Sequence, residues 1–228
     1  MWVAHFAPAL ILKRFAPSTP ITLLALAGVL PDFLFFINVL LGLEEIKYRP
    51  HEGCFPYECN YPFTHSLLGE AVLGTGFGLI AMTLLELPIS SFIAIFLAAV
   101  SHWPLDVLVH RKDVSLAPGD HPTLFGLSLF DSSVAVFVID LAMILAALYF
   151  HALTTRSLNP GKSQKVYLIW VLVFTAVQAN FSFMSAPTEN ARFVHAPIFA
   201  GQLLSLSIGM KYFDKWTKPK TGPIKKDL

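Results

Sequence analysis

Six stretches of this chain, 19–43, 63–87, 89–110, 131–153, 165–186 and 192–213, are long and apolar enough to form membrane-crossing helices. A hydrocarbon core of about 30 Å takes about 20 helical residues at 1.5 Å each. Polar or turn-rich segments separate the six: Glu44 to Pro62, the Leu87-Pro88 break, Arg111 to Phe130, Thr154 to Gln164, and Pro187 to Ala191. Of 228 residues 55% are apolar and 14% charged, against roughly 25% charged in an ordinary soluble domain. A mean hydropathy of +0.62 leaves more apolar side chains than one water-facing domain can bury, so the second solvent is a bilayer. The fold class that follows is all-α, a polytopic membrane bundle of about six transmembrane helices. Residues 2–16 are apolar but too short to span, and read as an N-terminal half-helix dipping into the membrane or lying on it. The whole is one membrane domain: a motif-bearing half, 1–115, three further helices over 131–213, and a basic tail, 214–228.

The net charge of +1 provides no basic field for a nucleic-acid partner. The distribution of charge is more telling. Six crossings put both ends of the chain on one side, together with Lys13, Arg14, Arg156, Lys162, Lys165, Lys211, Lys215, Lys218, Lys220, Lys225 and Lys226. Lys47, Arg49, Arg111, Lys112 and Arg192 fall on the other. The positive-inside rule then makes the ends cytoplasmic and turns the loops 44–62 and 111–130 outward, in a plasma or inner membrane. Lys13 and Arg14 follow the apolar start instead of preceding it, the wrong order for a secretory signal. Cys54 and Cys59 lie in one outward loop, where a local disulfide forms if the backbone turns back on itself; a zinc set of His51, Cys54, Cys59 and His65 is a competing reading.

An ionisable side chain inside a spanning helix is expensive unless it faces a polar interior, so each marks a candidate functional position. Asp32 stands mid-segment, and the preceding Pro31 frees backbone carbonyls beside it. His65 and Glu70 open the second segment. His102, Asp106 and His110, four apart, form a ladder on one helix face. The ladder drifts about 40° per step, so His102 and Asp106 make the better pair and His110 belongs nearer the rim. At about 1.5 Å per residue, Asp32 and His102 both lie about 20 Å above the cytoplasmic end of their helices, and His5 lies about 13 Å from Arg14. A cavity open to the outer face would gather these groups. Plainer readings apply elsewhere: Asp140 as a structural partner of His102 or Asn180, His151 as an interfacial residue, Gly74 and Gly78 as a close-packing pair, and the phenylalanines as mostly lipid-facing bulk.

The order His5, then Pro31-Asp32, then Phe63-Thr64-His65-Ser66-Leu67, then Ser101-His102 with Asp106, resembles the membrane-bound metal-dependent hydrolase family of bacterial inner-membrane proteins. It is similar, more distantly, to zinc-dependent phospholipase C-like sequences. The resemblance covers about half of the chain, residues 1 to about 115. It implies that His5, Asp32, His65, His102 and Asp106 hold a divalent metal, zinc or alternatively manganese. Two positions depart from the family pattern of a Pro-Asp-x-Asp and a His-Arg-Gly-x-Thr-His-Ser: Leu34 replaces the second aspartate and Asn60 the first histidine. The pattern Tyr-Pro-x-Thr-His-Ser-Leu is that of a divergent branch.

The first functional reading is therefore a metal-dependent hydrolase, with Glu70 or Asp106 as general base and an amphiphilic lipid ester or phosphodiester entering from the bilayer. A proton-coupled transporter using the same Asp/His cluster as a relay competes with it, as does a non-catalytic metal-bound scaffold.

Overall fold

The computed structural model describes residues 1–50, 53–119, 123–184 and 190–220. His51 and the end of the basic tail, including Lys225 and Lys226, lie outside the described residues. Helices dominate, with two short antiparallel strand pairs at the ends of the bundle.

The chain opens with a 3-10 turn, Val3–Phe6, that runs into α1, Ala7–Leu12. α2, Ile21–Gly28, and α3, Leu30–Leu41, form a broken span bent by 60°. Pro31 in the first turn of α3 has no N–H to continue the ladder of α2, which accounts for a break at this place. Strands β1, Glu45–Tyr48, and β2, Tyr57–Asn60, pair with Ile46 opposite Cys59. Then come α4, Leu67–Leu84, α5, Ile89–Val100, and α6, His102–Val109, the last two forming one span. A 3-10 turn at Leu129–Asp131 precedes α7, Ser133–Thr154, and β3, Thr155–Ser157. α8, Pro160–Phe183, a π-turn at Ala191–His195, α9, Ala196–Gly209, α10, Lys211–Trp216, and β4, Thr217–Pro219, complete the bundle.

Five helices are long and apolar enough to cross a membrane, and six when the bent pair counts as one span. All six expected segments are therefore helical. α8 starts at Pro160, earlier than the apolar run alone indicates, because the Asn159 side chain caps it by accepting from the Lys162 N–H at 3.1 Å. Only 22% to 39% of each unbroken span is buried inside the protein, so the remaining apolar surface needs hydrocarbon around it. This is an integral membrane protein.

The N-terminal segment differs from its expected place. Val3, Ala4, Ala9 and Leu10 are fully buried, so the half-helix is enclosed by protein instead of lying on the membrane. Asp140, in the middle of α7, explains how: its carboxylate accepts the backbone N–H groups of Trp2 at 2.9 Å and Ala4 at 2.6 Å. Asp140 thus holds the first turn of the chain, and His102 and Asn180 are not its partners. His151 is likewise enclosed, 2.7 Å from the Tyr167 hydroxyl. Six of the 20 phenylalanines, Phe6, Phe35, Phe36, Phe130, Phe174 and Phe213, are buried in the core.

α4 meets α5 along a stripe of small residues. A Cβ on Gly74 would lie 2.8 Å from Ala99 Cβ, and one on Gly78 2.9 Å from the Phe92 ring, whereas Gly76 has open space. Close approach of this kind replaces the hydrophobic driving force that lipid does not supply.

The two strand pairs mark opposite ends. Around the β1–β2 hairpin lie Arg111, bound to Asp131 at 2.8 Å, and Arg192, which donates to the Leu40 carbonyl at 3.0 Å. Around β3–β4 lie Arg156, Lys218 and the Lys13–Asp214 ion pair at 2.6 Å. The basic residues are thus segregated by end, as the loop charges indicated.

Gly74→Leu is expected to lower stability by about 1–3 kcal/mol through overpacking, while Gly76→Leu leaves it unchanged or raises it. Thermal unfolding in detergent, read by intrinsic fluorescence, checks the difference.

Candidate metal centre

Five of the polar groups singled out from the sequence meet in one buried cluster beneath the hairpin. Asp32 enters it from the first turn of α3, directly after the break. His5 arrives on the enclosed 3-10 turn, which lies so close to α2 that a Cβ on Gly28 would sit 2.3 Å from the His5 carbonyl oxygen. His65 precedes α4, whose start is capped by Ser66 Oγ accepting from the Gly69 N–H. His102 and Asp106 face inward from successive turns of α6. His110, expected nearer the rim, also reaches in: its Nε2 lies 3.4 Å from Asp106 Oδ2. All six side chains are buried.

The hydrogen bonds on the outer side of each ring decide which nitrogen faces the centre. His102 Nδ1 lies 2.9 Å from the Gly28 carbonyl oxygen, one of the carbonyls released at the helix break. A carbonyl only accepts, so Nδ1 carries the proton and a neutral ring presents the Nε2 lone pair inward. His65 is fixed by a longer chain. Glu44 is a buried carboxylate that accepts from the Phe63 N–H, the Thr64 N–H and Thr64 Oγ1, the last at 2.9 Å. With its own proton committed to Glu44, Thr64 Oγ1 accepts from His65 Nδ1 at 2.9 Å. His110 Nδ1 faces Asp113 Oδ1 at 3.1 Å and the Tyr61 hydroxyl at 3.0 Å. Burial pushes the Tyr61 phenol well above its ordinary range, so it stays protonated. Three imidazoles are thus held with Nε2 pointing at Asp32 and Asp106.

The consequence is an arrangement of lone pairs aimed at one another. His65 Nε2 is 3.1 Å from Asp32 Oδ1, His102 Nε2 is 3.1 Å from Asp106 Oδ2, and His102 Nε2 is 3.7 Å from Asp32 Oδ1. His102 Nε2, Asp32 Oδ2, Asp106 Oδ2 and His5 Nδ1 are buried without a hydrogen-bond partner. A buried orphan of this kind costs about 1–3 kcal/mol, and more when charged. His102 Nε2, Asp32 Oδ2 and Asp106 Oδ2, which face one another, together call for a shared cation or for extra protons. The His5 and His102 rings stack with centroids 3.7 Å apart, which disfavours a positive charge on both. The donor set can hold a metal ion. Ligand atoms of His5, Asp32 and His102, and those of His65, His102 and Asp106, lie within 4.8 Å of one another. Bonds of about 2.0 Å in a tetrahedral zinc site place neighbouring donors about 3.3 Å apart, the spacing seen across the cluster.

The Met1 amino group and His5 Nε2 occupy Asp106 Oδ1, at 2.5 Å and 3.0 Å. Glu70 is outside both ligand groups. Its Oε2 accepts from the Trp103 N–H at 2.8 Å, and its Oε1 is buried without a partner. Leu34 and Asn60 fall on α3 and β2 and bring no donor to the cluster. Cys54 and Cys59 are free thiols, and burial pushes the Cys54 thiol up to about 11, which makes it a weak nucleophile.

Above the cluster is a cavity of about 20 Å³, lined on its polar side by Asp32, Tyr61, His65 and His110. That is room for about one water molecule. Trp2, Phe35, Phe36, Phe130 and Phe181 form the apolar walls, and Phe55 closes them from the hairpin. Phe55 holds φ at +59°, a left-handed conformation that a bulky residue adopts at a cost of about 1–3 kcal/mol. Its ring stacks on Phe130 at 5.4 Å.

No protein-family model matches the chain, and no curated protein or solved structure matches it. The chemistry of the cluster is therefore read from its own donors.

Sequence reasoning missed Glu44, Tyr61 and Asp113, and passed over Thr64 although it adjoins His65. Thr64 had a signal, its place in a short motif beside a candidate ligand. Glu44 had none, because only the return of the loop brings it to Thr64. Thr64→Val removes the hydroxyl between Glu44 and His65 and is expected to weaken metal binding about 10–100-fold. Competition with a chromophoric chelator measures this, with circular dichroism confirming retention of helix.

Proposed function

We propose that this protein is a membrane-embedded metal-dependent hydrolase, a divergent relative of the membrane-bound family its motifs resemble. The observation that carries the reading is the inward Nε2 set of His65, His102 and His110 around Asp32 and Asp106, with buried orphan oxygens and nitrogens left at the centre. Imidazole and carboxylate donors suit zinc, with manganese the alternative. An ion held by His5, Asp32, His65, His102 and Asp106 would supply Lewis-acid polarisation of a carbonyl or phosphoryl oxygen and an acidified water.

The chain's own residues do the rest. The aromatic walls exclude bulk water, which strengthens every charge interaction at the centre. Asp32 lines the cavity, and its Oδ2, without a hydrogen-bond partner, is the candidate to take a proton from a water held there. The Tyr61 hydroxyl and His110 Nδ1 offer a proton path toward Asp113 near the hairpin end. Glu70 and Asp106 are not on the cavity wall; Asp106 serves as the shared ligand, and Glu70 is the reserve carboxylate behind His102. An amphiphilic ester or phosphodiester reaches the site when the hairpin withdraws Phe55, and an opening at membrane depth admits it from the lipid. The positive-inside rule turns this opening to the outer face, with both ends of the chain cytoplasmic.

Protein purified in detergent and supplied with zinc or manganese is expected to retain about one ion or more per chain, and His102→Ala to lose it together with hydrolysis of short-chain lipid esters or phosphodiesters. Metal content by mass spectrometry and turnover of those substrates check this. Because metal and protons compete for Nε2, occupancy is expected to fall as the pH is lowered. Absence of metal, with pH-dependent flux in proteoliposomes that survives chelator, would show a proton relay instead. Bound metal that stabilises the protein without turnover would show a scaffold.

A further inference from the structure

At the end of the bundle opposite the cluster, a groove of about 310 Å³ runs between the start of α8 and α10. Its floor is Val166 and the buried Trp170, and its walls are Tyr212 and Trp216. Gly209 lets α9 close under it, since a Cβ there would lie 3.1 Å from the Trp170 ring. Lys162 and Lys165 stand at its mouth. Lys162 Nζ lies 4.3 Å from the centroid of the Trp216 ring, and Lys215 Nζ 5.2 Å from the same centroid. Two ammonium groups therefore share one indole. Among the described residues no carboxylate comes within 4.0 Å of Lys162, Lys165, Lys211 or Lys215, and Asp214 is already bound to Lys13 and the Ile21 N–H. Among the described residues the positive charge of the groove has no counter-ion.

The other side of the groove is apolar. Ile169, about 6 Å deeper along α8 than Lys165, is 54% exposed, and Leu172 beyond it is 60% exposed. A cationic mouth at the interfacial level, an aromatic wall, and an exposed aliphatic track leading toward the middle of the span together match one kind of molecule. We propose that this groove binds an anionic phospholipid, its phosphate held by Lys162 and Lys165, its glycerol region against Trp216 and Tyr212, and an acyl chain along Ile169 and Leu172. The inference is independent of the metal centre, which lies at the other end of the bundle.

The test uses the full chain in a mild non-ionic detergent, titrated with phosphatidylglycerol, phosphatidylcholine or inorganic phosphate while thermal unfolding is followed, with native mass spectrometry to count bound lipid. Saturable stabilisation by phosphatidylglycerol alone is expected. The double substitution Lys162→Ala/Lys165→Ala changes only exposed side chains, so its unfolding temperature without lipid stays that of the parent, while its lipid affinity falls at least about tenfold. Lys47→Ala, at the opposite end, retains the parent response. Equal stabilisation by phosphatidylcholine, saturation by inorganic phosphate alone, or a double variant within about twofold of the parent overturns the proposal. A dimer that Trp216→Ala dissolves, with no response to phosphatidylglycerol, assigns the groove to a second copy of the chain.

Discussion

Two carboxylates, Asp32 and Asp106, buried among four imidazoles, set the terms for the rest of this protein. Unpaired charge of that density inside an apolar bundle costs several kcal/mol per group, so the structure must either compensate it or exclude it. It compensates. The break before α3 delivers Asp32 and releases the Gly28 carbonyl in one place; that carbonyl orients His102, and the four-residue step along α6 brings Asp106 beneath it. The bend and the cluster are two aspects of one local choice, a proline after a helix that ends on glycine.

The outer hydrogen bonds matter as much as the donors. Glu44, Thr64, Asp113 and Tyr61 contact no centre themselves, yet they decide which nitrogen of His65 and of His110 looks inward. A cluster whose rings were free to flip would pair its nitrogens and carboxylates through protons and have no need of a cation. Fixed rings narrow the choice to an added proton on Nε2 or a shared cation. Orientation through a second layer of partners is how metal sites hold their ligands ready, and here the layer is drawn from the hairpin and its flanks, the turn after α6 and the Gly28 carbonyl at the end of α2.

Much of this was legible beforehand. Bilayer thickness imposes a length on every span, so the apolar runs located six helices, and the cost of buried charge picked out Asp32, His65, His102 and Asp106, while His5 came from its depth and from the resemblance. The i, i+4 ladder was correct for His102 and Asp106, but it placed His110 too far out, because helical drift ignores the reach of an imidazole back toward its neighbour. What escaped were the contacts that join distant segments. Asp140 looked like a partner for a polar side chain and instead accepts backbone N–H groups of the first turn. Glu44 looked like a loop residue and instead anchors Thr64. No periodicity encodes such pairings, since both ends of each are fixed by the fold itself.

The dependence of the first turn on Asp140 bears on how the molecule is made. His5 is synthesised before any other member of the cluster, yet the side chain that holds its backbone in place belongs to α7, more than a hundred residues later. The opening segment also packs on α2, α5 and α6, but its two hydrogen bonds to Asp140 form only after the fourth span has entered the membrane. The first turn, and His5 with it, thus gains these backbone partners only when α7 is in place.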